Sequence, residues 1–285
     1  MTLERESNEQ YHKAYILATR CHQENKKLGR SANLPVLEEI LDKTMISENV
    51  DMGILDIPSN MIIGSAARSE ALDMYTKDFL PLCHPNSDYA YLWRNLYAVL
   101  ADNDAFREEI RCVEYLGKFY VIDGLKRVSV ARFFEAPTVR GHVIRLMPVK
   151  NDTTEVVQYF NFLFDYQMTH LYQLQFTQKG YFSQLQKALQ KQNTYVWNEA
   201  DRVNFLHYWP KIEAAFRKSY GDCLRITTAD ALVVLMKRYS FSQIIHMEPW
   251  VLARVFQAAG RELYALSFPE LCKKENSHNG RLYTA

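Results

Sequence analysis

Between Arg111 and Phe134 the chain carries the stretch whose order of elements its residues constrain most tightly. Arg111-Cys112-Val113-Glu114-Tyr115-Leu116 and Phe119-Tyr120-Val121-Ile122 are rich in strand formers and are joined by Gly117-Lys118, which predicts a β-hairpin. The second strand stops at Asp123-Gly124. A helix over 125–134 then places Val128, Ala131 and Phe134 at helical spacing, and Ala136-Pro137 turns the chain into a third strand over 143–147. The predicted order is β-β-α-β, and the fold class is α+β.

The turn between strand and helix carries chemistry. A glycine there lets the backbone bend sharply and leaves the first helical N–H groups unpaired, aimed outward with the positive end of the helix dipole. Lys126 and Arg127 add two cations to that first turn, where positive charge opposes the dipole and costs a few tenths of a kcal/mol or more, roughly, unless an anion neutralises it. Asp123 can cap the helix or hold a divalent metal such as Mg beside a phosphate, and Ser129 can donate a further hydrogen bond. A Cβ at Gly124 is expected to fill the seat of the anion, so that Gly124→Val abolishes ligand uptake and leaves the fold mostly intact. The same residues also fit a plainer reading, with Lys126 and Arg127 as solvated surface charges and Asp123 as a cap only.

Val121-Ile122-Asp123-Gly124-Leu125-Lys126-Arg127-Val128-Ser129-Val130-Ala131-Arg132 resembles the central box of the ParB/sulfiredoxin superfamily, in which a strand, a glycine, a basic pair and a helix bind nucleotide phosphates. The resemblance covers about 55–148, and the flanks are similar to those of bacterial proteins that carry the same box. It implies a small mixed sheet with flanking helices, close backbone approach at Gly124, phosphate contact by Lys126 and Arg127, and a metal or ligand hydroxyl at Asp123. The implied ligand is a nucleoside triphosphate, CTP or ATP, with Mg. The departures also count. Sulfiredoxins need a cysteine after the glycine, and Leu125 stands there, which excludes sulfinic acid reduction. The chromosome-partitioning members carry an acidic residue at that place and a later Glu-Asn-x-x-Arg segment, and both are missing. The free-serine kinases add a catalytic glutamate near the first strand; Asp56 and Glu70 are the nearby acids and sit in no recognisable motif, so no catalytic residue is assigned. The implied function is a nucleotide-binding, regulatory or DNA-associated protein, with a small-molecule phosphotransferase and a non-catalytic scaffold as alternatives.

The rest of the chain divides by pattern into an N-terminal helical segment, 1–50, the core, 51–150, and a mainly helical region, 151–285. Tyr11, Tyr15, Leu17, Ala18 and Cys21 predict an amphipathic helix ending before Gly29. Strands are predicted over 54–58 and 61–64, and helices over 67–80 and 89–100. Asp152 with Glu155, and Thr227 with Asp230, have capping-box spacing. Tyr172, Leu174 and Phe176 alternate as a strand would, Pro210 should break or kink the helix over 198–220, and Glu248-Pro249 opens the last long helix. The tail over 273–285 is expected to fray.

Net charge is +1 across 285 residues, so any polyanion must be held by a local patch. Arg132, Arg140 and Arg145, with His142, are candidates for contact with a nucleic acid backbone, and competing with that is a solvated sheet edge. The segment from Tyr239 to Leu263 can be read as a helix-turn-helix displaying Arg254 and Arg261 to DNA, or as ordinary helix packing. The five cysteines lie far apart with no metal-ligand spacing, which predicts free thiols in a reducing, cytoplasmic setting. No apolar run is long enough to cross a bilayer, so no membrane partner is expected, and oligomer formation is left open.

Overall fold

The computed structural model describes residues 3–103, 108–221 and 223–270, and the chain divides into two compact units, Met1–Val156 and Val157–Ala285. In the first, α1 (Leu3–Lys27) and α2 (Leu37–Ile40) precede β1 (Ile46–Pro58) and β2 (Ile62–Ser65). Then come α3 (Asp88–Asn103), the hairpin β3 (Ile110–Tyr115) and β4 (Lys118–Asp123), α4 (Leu125–Phe133) and β5 (Thr138–Pro148). The fold is α+β, around a mixed sheet of order β1-β5-β3-β4-β2.

The hairpin closes through Leu116-Gly117, because Tyr115 pairs with Lys118. Both loop residues have positive φ, 50° and 75°, the twist that a two-residue connection between antiparallel strands demands. On the far side of β3, β5 runs parallel to it, with Ile110 opposite Gly141 and Glu114 opposite Arg145. Both β1 and β5 are longer than the sequence pattern predicts. Their antiparallel ladder absorbs irregularities, one beside Gly53, whose φ is +66°, and polar residues on the exposed edge strand obscure its period.

Ser7, Tyr11, Ala14 and Ala18 form the buried stripe of α1, and the Tyr11 ring meets Trp93 of α3 edge-on at 5.2 Å. The first 50 residues therefore belong to the same compact unit as the sheet. The helix expected over 67–80 is instead a short 3-10 turn, Glu70–Met74, followed by a loop. Thr76 explains the difference: its hydroxyl accepts from the amides of Asp78 and Leu80 at 3.3 and 3.1 Å, and Phe79 takes a φ of 64°. A side chain that satisfies backbone donors in this way competes directly with the helix.

The second unit holds α5 (Thr154–Thr169, which begins just before the boundary), α6 (Tyr181–Ala188), α7 (Glu199–Tyr220), α8 (Thr228–Met236), α9 (Phe241–His246), α10 (Pro249–Ala258) and α11 (Gly260–Ser267). From Ala229 through Leu235 every residue of α8 is buried, so it is the central helix of its unit. Pro210 lies inside α7 and does not end it. The strand expected over 172–176 does not form, because its polar groups bond to the start of α8 rather than to a neighbouring strand. The Gln175 carbonyl accepts from the Thr227 hydroxyl at 2.6 Å, and the Asp230 carboxylate accepts from both the amide and the hydroxyl of Thr177. Asp230 also accepts from the Thr227 amide, closing the predicted capping box.

Asp165 on α5 gives this unit a pH dependence: burial pushes its carboxyl up from the ordinary 3.8 to about 7. A raised folded pKa means that the folded state binds the extra proton. The contribution of Asp165 is therefore fully present below about pH 4 and is lost as pH rises through about 7. Asp165→Asn is expected to leave stability near pH 4 unchanged and to raise the thermal midpoint at pH 8. Parallel midpoint curves for the two proteins across that range would refute the assignment.

Candidate functional site

β4 delivers Asp123 and Gly124 to the start of α4. Gly124 is the N-cap residue, left-handed at φ 105°, ψ 19°, and no side chain caps the helix. The Val128 amide donates to the Gly124 carbonyl at 3.0 Å, so the amides of Leu125, Lys126 and Arg127 precede the first intrahelical bond. A Cβ built on Gly124 would meet Ile110 Cγ2 at 2.6 Å, Ile110 Cβ at 3.0 Å and Arg127 Nε at 3.3 Å. The glycine is thus required by the packing of the turn on β3, which corrects the expectation that a side chain here would only fill a ligand's place.

The two cations of the first turn have different surroundings. Arg127 donates through Nη2 to Asp123 Oδ2 at 3.1 Å, and through Nη1 to Glu108 Oε2 at 3.0 Å and the Glu109 carbonyl at 3.2 Å. Its side chain is 12% exposed, against 66% for Asp123 and 85% for Glu108. Arg127 is therefore neutralised by carboxylates of its own chain, which leaves Lys126 as the first-turn cation that opposes the helix dipole. Lys126 lays its ammonium 5.6 Å from the centre of the Tyr89 ring. It also lies near Cys83, where burial raises the thiol pKa and the Lys126 charge pulls it back. Among the described residues no carboxylate lies within ion-pair distance of Lys126.

Ser129 is fully buried, and its oxygen accepts from the Trp93 indole N–H at 3.0 Å. It holds α4 to α3 and is out of a ligand's reach, contrary to the role drawn from the sequence. Asp123 does not cap the helix either, since Oδ2 is turned to Arg127, leaving Oδ1 as its second oxygen. No three His, Cys, Asp or Glu side chains among the described residues gather as a metal cage. A Mg ion at Asp123 would fit only by taking most of its oxygens from phosphates and water, as that ion commonly does.

The candidate nucleic-acid arginines of the first unit are largely engaged. Arg145 is buried against the fully buried Glu114, the residue opposite it in the β3–β5 ladder. Arg132 donates to the Ile62 carbonyl at 2.8 Å and lies over the Phe79 ring. Arg140 is exposed and paired with Glu109 at 3.2 Å, and His142 with Asp51 at 3.0 Å. In the second unit Arg254 and Arg261 are exposed, and the Arg254 guanidinium lies 5.4 Å over the ring of Trp250, itself 58% exposed. The opposite side of α10 buries Leu252, Ala253 and Phe256. Lys211 of α7 fixes the turn before α10 by donating to the carbonyls of Ile245 and Met247.

Sequence reasoning missed Glu108, Tyr89 and Cys83 at this site. The hairpin register offers a signal for the first, since pairing Arg111 with Asp123 brings the preceding acids alongside the start of α4. Surface clefts among the described residues lie elsewhere, such as one of about 630 Å³ along α1 at Glu4 to Lys13 and one of about 550 Å³ around Ile46 and Leu146. Cys21, Cys83, Cys112 and Cys223 are free thiols, and Cys272 falls outside the described residues, as does the tail over 273–285. No helix of the described residues is long and apolar enough to cross a membrane. No protein-family model, curated protein or solved structure matches this chain.

Proposed function

We propose that the start of α4 binds the phosphate group of a nucleotide or other small phosphorylated ligand, in a regulatory or DNA-associated protein. The observation that carries this reading is the uncapped α4 N-terminus, opened by a left-handed Gly124, beside a Lys126 with no carboxylate partner. Unpaired first-turn amides and a dipole favour an anion there, and Lys126 supplies the charge that a neutral surface would lack. Asp123 would hold Mg together with the phosphates, and the ion would offset repulsion between that carboxylate and the ligand. The likeness of the 121–132 box to the ParB/sulfiredoxin superfamily supports the same ligand class by analogy.

Calorimetric titration of the full chain with ATP, CTP, GTP and inorganic phosphate, with and without Mg, tests the reading. Lys126→Ala is expected to weaken binding by roughly 10-fold, the usual worth of one charge-assisted contact. Silence from all four ligands would favour a scaffold without a ligand, a reading supported by the internal pairing of Arg127. The DNA association rests on the exposed Trp250, Arg254 and Arg261 of the second unit. Retention on DNA should fall with salt and be lost in Arg254→Ala/Arg261→Ala while Lys126→Ala keeps it; equal retention of all variants would remove this part.

A further inference from the structure

We infer that Glu108 is a built-in competitor for the anion at Arg127, and that it biases the α4 site towards ligands bearing a dianionic terminal phosphate. This rests on the phosphate-site reading above and adds to it a selectivity device. The guanidinium lies across the turn that opens α4, with its Nε beside Gly124. One of its nitrogens holds Asp123, four residues before it in the chain, and the other holds Glu108 and the Glu109 carbonyl.

These contacts are not equally replaceable. The Glu109 carbonyl is main chain next to β3, and the Glu109 side chain is engaged elsewhere, by Arg140 at 3.2 Å. The Glu108 carboxylate is 85% exposed, so its bond to Arg127 is screened by solvent and weak, as exposed pairs are. It is the contact an incoming anion displaces. A monoanion, whether carboxylate or phosphodiester, offers Arg127 nothing that Glu108 does not already supply. A terminal phosphate monoester carries close to two negative charges above its second pKa of about 6 and has three acceptor oxygens. It gains more from Arg127, Lys126 and the α4 amides than a monoanion does, and so better meets the displacement of the carboxylate and the repulsion from Asp123.

The test compares wild type, Glu108→Gln, Glu109→Gln and Lys126→Ala in full-chain titrations with inorganic phosphate and with the monoanion dimethyl phosphate, at constant ionic strength and at pH 8. Glu108→Gln is expected to bind phosphate about 3- to 5-fold more tightly and to raise the weaker affinity for dimethyl phosphate by a similar factor, the modest size reflecting an exposed pair. Glu109→Gln, whose carboxylate serves Arg140, should bind like wild type. Unchanged affinity in Glu108→Gln, with binding still weakened in Lys126→Ala, would overturn the competitor and leave the site standing. Equal tightening in Glu108→Gln and Glu109→Gln would reduce the effect to net charge and overturn it too. Absence of phosphate binding in wild type and Glu108→Gln alike would remove the site and this inference together.

Discussion

Glu114→Ala is expected to lower hydrogen-exchange protection of β3 and β5 amides by about a hundredfold to several thousandfold, while the amides of α8 in the other unit keep theirs. Glu114 is fully buried, paired with Arg145 whose side chain is 9% exposed, and it accepts from the Gly117 amide at 2.7 Å. Removing the carboxylate leaves a guanidinium in the interior and an amide of the hairpin turn without that acceptor. Breaking a buried pair from one side costs about 3–5 kcal/mol, and each 1.4 kcal/mol is about tenfold in an equilibrium. Glu114→Gln keeps the shape and one acceptor oxygen, so it should fall between wild type and alanine. Glu114→Leu/Arg145→Met removes both charges and should recover most of the loss, because desolvation offsets much of what a buried pair gains. A fully protected alanine variant would mean that the pair is not sealed from water.

The same pair shows why only part of the molecule was legible. The hairpin, the Gly124 turn and α4 were readable because strand formers, a lone glycine and helical spacing agreed along one contiguous stretch. Extending the period of two along β3 puts Ile110, Cys112 and Glu114 on one face, and all three are buried. In β5 the same count puts Val139, Gly141, Val143 and Arg145 inward. Residue type alone assigned Arg145 to a surface patch; strand alternation would have put it in the core opposite Glu114. The loop at Thr76 and the 172–176 segment depart from their sequence pattern for a related reason. Their backbone groups are satisfied by side chains distant in the chain or by a local hydroxyl, and a periodicity count does not include such partners. For the candidate site, Gly124, Lys126 and Arg127 were readable as types in a pattern. The engagement of Arg127 by Glu108 depended on hairpin register, and the burial of Ser129 on where α3 packs.

Gly124→Val is expected to destabilise the first unit rather than merely empty its anion site. The native φ of +105° lies beyond the left-handed window that non-glycine residues reach, and branching at Cβ narrows the choice further. Holding such a residue there costs about 1–3 kcal/mol in backbone strain. The built Cβ at 2.6 Å from Ile110 Cγ2 is a second cost, since overpacking a fully buried site typically adds about 1–3 kcal/mol. Ile110 cannot simply swing away, because it is fully buried and also lies against Gly141, where a Cβ would come within 2.7 Å of it. Loss of ligand binding in Gly124→Val is therefore no measure of the site, whereas Lys126→Ala, at a half-buried position outside the core, is. The contact itself can be isolated by a double-mutant cycle with Gly124→Ala and Ile110→Ala, read from exchange protection of β3–β5. The alanine at 110 removes Cγ2, so the double variant should be less destabilised than the two single losses added together, by about 1 kcal/mol or more. Strict additivity would show that the turn does not press on Ile110, and the requirement for glycine would then rest on φ alone.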